Sequence, residues 1–130
     1  MTGGGQIHNN FSMVANFGGN ARGTSAEPTT AKGHFNYNRI GLHLNGKVDN
    51  VLLVDQFNHT MWFCFTDSKT NNAYTVKWHD QDEPNQGQDT LSLWSGCNPA
   101  VLMPPPGSEA GIGPFDRPVE KGNVQWHPPQ

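Results

Sequence analysis

The sequence predicts an all-β fold, a single-domain antiparallel β-sandwich or partly open barrel spanning 1–130. Three observations predict it. Short runs alternate apolar and polar residues with a period of two, the mark of strands with one buried face. Turn residues separate these runs at roughly 8–12-residue intervals, the rhythm of sandwiches and barrels. No stretch of ten or more residues carries apolar positions at helical spacing without a glycine or proline interrupting it.

The strands follow in order. AKGHFNYNR (31–39) sets Phe35 and Tyr37 against His34, Asn36 and Asn38. GLHLNG (41–46) sets Leu42 and Leu44 against His43 and Asn45, and its Asn45-Gly46 dipeptide predicts a turn. KVDNVLLVDQF (47–57) is a branched apolar strand. TMWFCFT (60–66) divides Met61, Phe63 and Phe65 from Trp62 and Cys64. AYTVKW (73–78) points Tyr74, Val76 and Trp78 inward. DTLSLWS (89–95) does the same with Leu91 and Leu93, leaving Trp94 out of phase. GNVQWH (122–127) supplies a last strand. Two segments break the rhythm. Residues 16–30 are small and polar and predict a long loop. Residues 99–118 hold most of the prolines, which lack a ladder donor, so a surface insertion in extended form is predicted, anchored by Val101, Leu102, Met103, Ile112 and Phe115.

At 130 residues the chain fits one domain. Charged residues make up 15 % and the net charge is −3, so solubility rests on neutral amides and hydroxyls. Eight scattered Lys and Arg give no basic track for a phosphate backbone, which argues against nucleic acid. No apolar run approaches the ~18 residues of a membrane-spanning helix, so membrane insertion is not expected. Met1 is followed by TGGGQ and not by a basic then apolar stretch, so the expectation is a mature or excised domain.

Between strands 73–78 and 89–95 lies the acidic loop HDQDEPNQGQD. Asp80, Asp82, Glu83 and Asp89 offer the hard oxygen ligands that calcium takes. The spacing is not that of an EF-hand, because Pro84 fills a ligand position and no glutamate follows at the twelfth. The simpler reading is a hairpin turn set by Pro84, Asn85 and Gly87, with Asp89 bonding backbone amides at the next strand. Acid–base catalysis needs a carboxyl buried enough to raise its pKa, and a loop of Asn, Gln and Gly offers no such environment. Six histidines raise the question of zinc or copper, yet no His-x-His or HExxH pair occurs. His34 and His43 lie on polar faces of adjacent strands and can meet across a hairpin.

Cys64 and Cys97 are a candidate disulfide between neighbouring strands. In an exported chain it stabilises by roughly 3–4 kcal/mol. Trp62, Trp94 and Trp126 are candidate ligand-binding aromatics. Two alternatives stand beside sugar stacking for these rings: a protein-contact patch, or a second small core beneath the proline-rich segment.

TGGGQI, AKGHFNY with its GLHLNG turn, YTVKWHDQDEPNQGQDTLSL and KGNVQWH occur in the order of the post-COAP domain, which the chain resembles over most of its length. The resemblance implies a β-rich, apparently non-catalytic module toward the C-terminal end of larger secreted or surface bacterial proteins. The insertion at 99–118 and the tryptophans at 78, 94 and 126 depart from that pattern. The functional expectation is an extracellular adhesion, binding or scaffolding module whose partner is a polysaccharide or cell-surface protein. The alternatives are a small metal-dependent enzyme using the acidic loop and histidines, and a self-assembling fibre subunit.

Overall fold

The computed structural model describes residues 1–8, 14–24, 27–80, 89–103 and 117–125. Asp82, Glu83, Trp126, His127 and residues 104–116 of the proline-rich segment lie outside these. The described chain is all-β: β1 (Thr2–His8), β2 (Val14–Thr24), β3 (Glu27–Arg39), β4 (Leu42–Asp55), β5 (Thr60–Asp67), β6 (Ala73–His79), β7 (Thr90–Ser95), β8 (Arg117–Pro118) and β9 (Lys121–Gln125). They form one antiparallel sheet in the order β8-β7-β6-β5-β4-β3-β2-β1-β9, curled into a half-barrel. The prediction of a partly open barrel is met.

Alternation decides which face is concave. Inward residues from every long strand share one aliphatic and aromatic core. Phe35 sits at its centre, with ring centroids 5.9 Å from Phe63, 5.0 Å from Phe65 and 5.6 Å from Trp78. Phe63 and Trp78 meet edge to face at 5.2 Å, a geometry that suits the ring quadrupoles. Trp78, Phe35 and Phe63 are wholly buried, so the curl is filled by side chains.

Curling a sheet this tightly requires strands to approach where a side chain would intervene. Gly46 shows the constraint: a Cβ there would lie 1.7 Å from the Thr66 carbonyl oxygen and 2.6 Å from its carbon. Gly5, Gly19, Gly33 and Gly122 make comparably close backbone approaches. Glycines at such places serve as the kinks that let a sheet coil. Two irregularities bend β4 as well, between Val48 and Asn50 and between Val51 and Leu53. Each inserts one residue, so Val48, Val51 and Val54 face the core at intervals of three instead of two.

Two sequence expectations change. Residues 16–30 are not a long loop: most of them belong to β2 and β3. Ala15, Phe17 and Ala21 are buried while Asn16, Asn20 and Arg22 are exposed, so the period of two was present but carried by small residues. Asn45-Gly46 is not a turn either, because β4 runs straight through it. The chain reverses instead at Ile40-Gly41, where Gly41 has φ 84°. Gly46 is there for close approach, not for turning.

The margins of the sheet are stitched by the last described segment. β8 pairs with Thr90 and Leu91 of β7, and β9 pairs with Thr2–Gln6 of β1. Only Val119 and Glu120 separate β8 from β9, so one short stretch of chain holds both edges. Asp89 secures it: its carbonyl accepts from the Val119 N–H at 2.8 Å and its carboxylate Oδ2 from the Val124 N–H at 2.7 Å. The Arg117 guanidinium adds a bond from Nε to the His8 carbonyl at 2.8 Å, and His8 pairs with Glu120.

Candidate functional site

The convex face of β5–β7 carries the residues out of phase with the core: Trp62, Cys64, Thr75, Lys77, Ser92 and Trp94. Register places Cys64 beside Thr75 and Thr75 beside Trp94, with Trp62, Lys77 and Ser92 in the adjoining row. After β7 the chain turns at Gly96 and lies back over this face. The Gly96 N–H donates to the Ala73 carbonyl at 2.8 Å, and the Thr75 hydroxyl donates to the Gly96 carbonyl at 2.6 Å. Cys97 forms a disulfide with Cys64, and the Trp62 indole N–H donates to the Leu102 carbonyl at 3.0 Å. Residues 96–103 are therefore a strap.

The strap decides the fate of the tryptophans. Trp94 points outward from the barrel yet is only 2 % exposed. Trp62 is half-buried, with the Lys77 ammonium 5.6 Å from its ring centroid. The Trp94 ring lies close to the root of the strap, beside Gly96, Cys97, Asn98 and Val101. That ring is not an open stacking surface, because alternation sets only which side of the sheet a residue takes, and a later segment then covers that side. Val101 and Leu102 are half-buried anchors as expected, whereas Met103 is exposed. A small open depression remains where the strap leaves the sheet, lined by Trp94, Ser95, Gly96, Cys97, Asn98 and Val101.

Of the acidic loop, the two ends are described. Asp80 follows β6, and its N–H donates to the His59 carbonyl at 3.0 Å. Asp89 bonds the backbone, as the turn reading expects, although its partners lie in the distant β8–β9 segment and not at the start of its own strand. Among the described residues no group of three His, Cys, Asp or Glu side chains converges. His34 and His43 do not meet: His34 pairs in register with Lys47 and bonds the Asn45 side chain, while His43 bonds Asn38 Oδ1 at 3.0 Å.

One surface was not singled out from the sequence. The convex face of β1–β4 is a continuous field of amides and imidazoles. Gln6, Asn16, Asn38 and His43 form one row across four strands, and Gly4, Gly18, Asn36 and Asn45 the next. Asn20 and His34 border them. The Gln6 amide donates to Asn16 Oδ1 at 3.3 Å, and Asn20 Oδ1 accepts the His34 N–H at 3.0 Å. The signal was legible as asparagine and histidine recurring at the outward positions of NFGGN, HFNYN and HLN, with Gly18 the exception. The convex face thus divides into a strapped aromatic half and an open amide half. No family model, curated protein or solved structure matches the chain.

Proposed function

We propose that this chain is a non-catalytic extracellular β-module of the post-COAP kind, acting as a binding or scaffolding part of a larger secreted bacterial protein. Its binding face in this reading is the amide half of the barrel, and its ligand a polyhydroxylated glycan of the cell surface. The observation that carries the proposal is the field of amides and imidazoles formed by Gln6, Asn16, Asn20, His34, Asn36, Asn38, His43 and Asn45 on β1–β4. Each amide offers two donors and two acceptor lone pairs, a pattern that matches sugar hydroxyls. The kinked sheet beneath holds those groups at fixed spacing, which lowers the ordering cost of binding. Further support comes from the disulfide, which persists in oxidising compartments. A concave side filled with aromatic rings leaves the convex surface as the place where a partner meets the protein.

The test is retention on bacterial cell-wall polysaccharides by the wild-type protein and by Asn36→Ala/Asn38→Ala. Retention by the wild type and its loss in the double variant is the expected result. Equal retention by both, or none by the wild type, overturns the amide-face assignment.

A further inference from the structure

The strap is fastened asymmetrically, and the asymmetry has a chemical consequence. Cys64 lies mid-strand in β5 and is wholly buried beneath the strap. Cys97 is half-buried and lines the open depression beside Trp94 and Asn98. Of the two cysteines, Cys97 is therefore the more accessible to an external thiolate. Beyond the disulfide, the described attachments of the strap to the sheet are the two Gly96 bonds at its root and the Trp62–Leu102 bond near its far end. Its remaining described bonds are internal, from the Ala100 N–H to Asn98 Oδ1 and from the Val101 N–H to the Asn98 carbonyl.

We propose that the Cys64–Cys97 bond is an exchangeable latch, that Cys97 is the sulfur at which small-molecule thiols attack, and that opening it lifts residues 97–103 from Trp62 and Trp94. In the first step the thiolate of a low-molecular-weight thiol attacks Cys97 Sγ. A new sulfur–sulfur bond forms there, the Cys64–Cys97 bond breaks, and its electron pair leaves on Cys64 Sγ, which takes a proton from solvent. A second thiol then attacks the adduct, releasing the small-molecule disulfide and leaving both cysteines as thiols. Two thiols are oxidised and one protein disulfide is reduced. Which sulfur is attacked is a matter of access, and access here favours Cys97. With the covalent tie gone, the Trp62–Leu102 bond is the described hydrogen bond at the far end, where Val101 and Leu102 are half-buried. The latch concerns the aromatic half of the convex face and is independent of the amide half.

Glutathione is the probe. The folded protein is incubated with it, quenched in acid, alkylated and mapped by mass spectrometry. The glutathione adduct is expected on Cys97 with Cys64 alkylated, at a ratio of at least tenfold over the reverse. An even split, an adduct mainly on Cys64, or no adduct without denaturant overturns the proposal. The single variants give an independent measurement: the Cys97 thiol in Cys64→Ser reacts with an aromatic disulfide reagent at least tenfold faster than the Cys64 thiol in Cys97→Ser, and equal rates refute the assignment. Lifting of the strap is read from the Trp62 indole N–H, whose exchange with deuterated solvent rises at least tenfold on reduction while that of Trp78 stays slow. Unchanged Trp62 exchange means the strap remains seated and ends the proposal.

Discussion

Replacing Asp67 by Asn tests how a buried carboxylate organises one end of the barrel. Asp67 is 2 % exposed at the end of β5, and its Oδ1 accepts the Asn45 N–H at 3.1 Å. Its Oδ2 accepts the Thr70 N–H at 3.1 Å and the Thr70 hydroxyl at 2.9 Å, which closes the β5–β6 turn. An asparagine keeps one acceptor oxygen and turns an N–H₂ toward a backbone donor. One buried N–H then loses its partner, at about 1–3 kcal/mol, and the bonds that survive lose their charge assistance, at about 1 kcal/mol together. The expected loss is about 2–4 kcal/mol, which at a slope near ~2 kcal/mol/M moves the urea midpoint down by about 1–2 M. The pH dependence has a definite sign. Burial pushes the Asp67 carboxyl upward, but the bonds from Asn45, Thr70 and Lys69 outweigh it and hold it below the ordinary 3.8. A carboxylate depressed in the folded state stabilises fully above its unfolded value, and the contribution is lost as pH falls through the folded one. Urea titrations of both proteins at pH 7, 5, 3.5 and 2.5 therefore show a constant gap down to pH 5 that narrows below about pH 4. A gap under ~1 kcal/mol at pH 7, or one unchanged at pH 2.5, refutes the role assigned to this carboxylate.

Three further perturbations separate structural roles from surface ones. Gly46→Ala sets a methyl against the Thr66 backbone and is expected to cost at least ~2–3 kcal/mol in urea unfolding, where an ordinary strand glycine gains by the same change. Trp94→Ala is expected to cost about 3–5 kcal/mol as a buried side chain, against ±0.5 kcal/mol for an exposed platform, and thermal denaturation distinguishes the two. Asp89→Ala removes the acceptor of the Val124 N–H, so amide exchange at Val124 should accelerate at least tenfold with a stability loss of about 1–3 kcal/mol, while Asp89→Asn retains most of the protection.

The fold was readable because burial imposes a period of two on any strand with one wet face. Phe35, Tyr37, Met61, Phe63, Phe65, Tyr74, Val76, Trp78, Leu91 and Leu93 all take the concave side that alternation assigns them. Reading failed where the inward positions were small. In NFGGNARGT the core residues are Ala and Phe amid glycines, so hydrophobicity was weak although periodicity held. It failed again at Asn45-Gly46, where a dipeptide suited to turns served a close approach of strands. The two residues inserted into β4 are equally silent, because a bulge has no composition of its own.

For the candidate sites, the chain by itself determined which face of the sheet each residue takes, since that follows from local backbone geometry. Trp62 and Trp94 were set outward on this ground, and so were His34, Asn36, Asn38, His43 and Asn45, whereas Asn16 and Asn20 fell in the segment read as a loop. Whether an outward residue meets water is a different matter, decided by segments distant in sequence. Trp94 faces outward yet is 2 % exposed, with Cys97, Asn98 and Val101 of the strap beside it, and the Asp89 carboxylate accepts from Val124, thirty-five residues away. Such contacts depend on how the curled sheet returns the chain to itself, and no local pattern encodes that return.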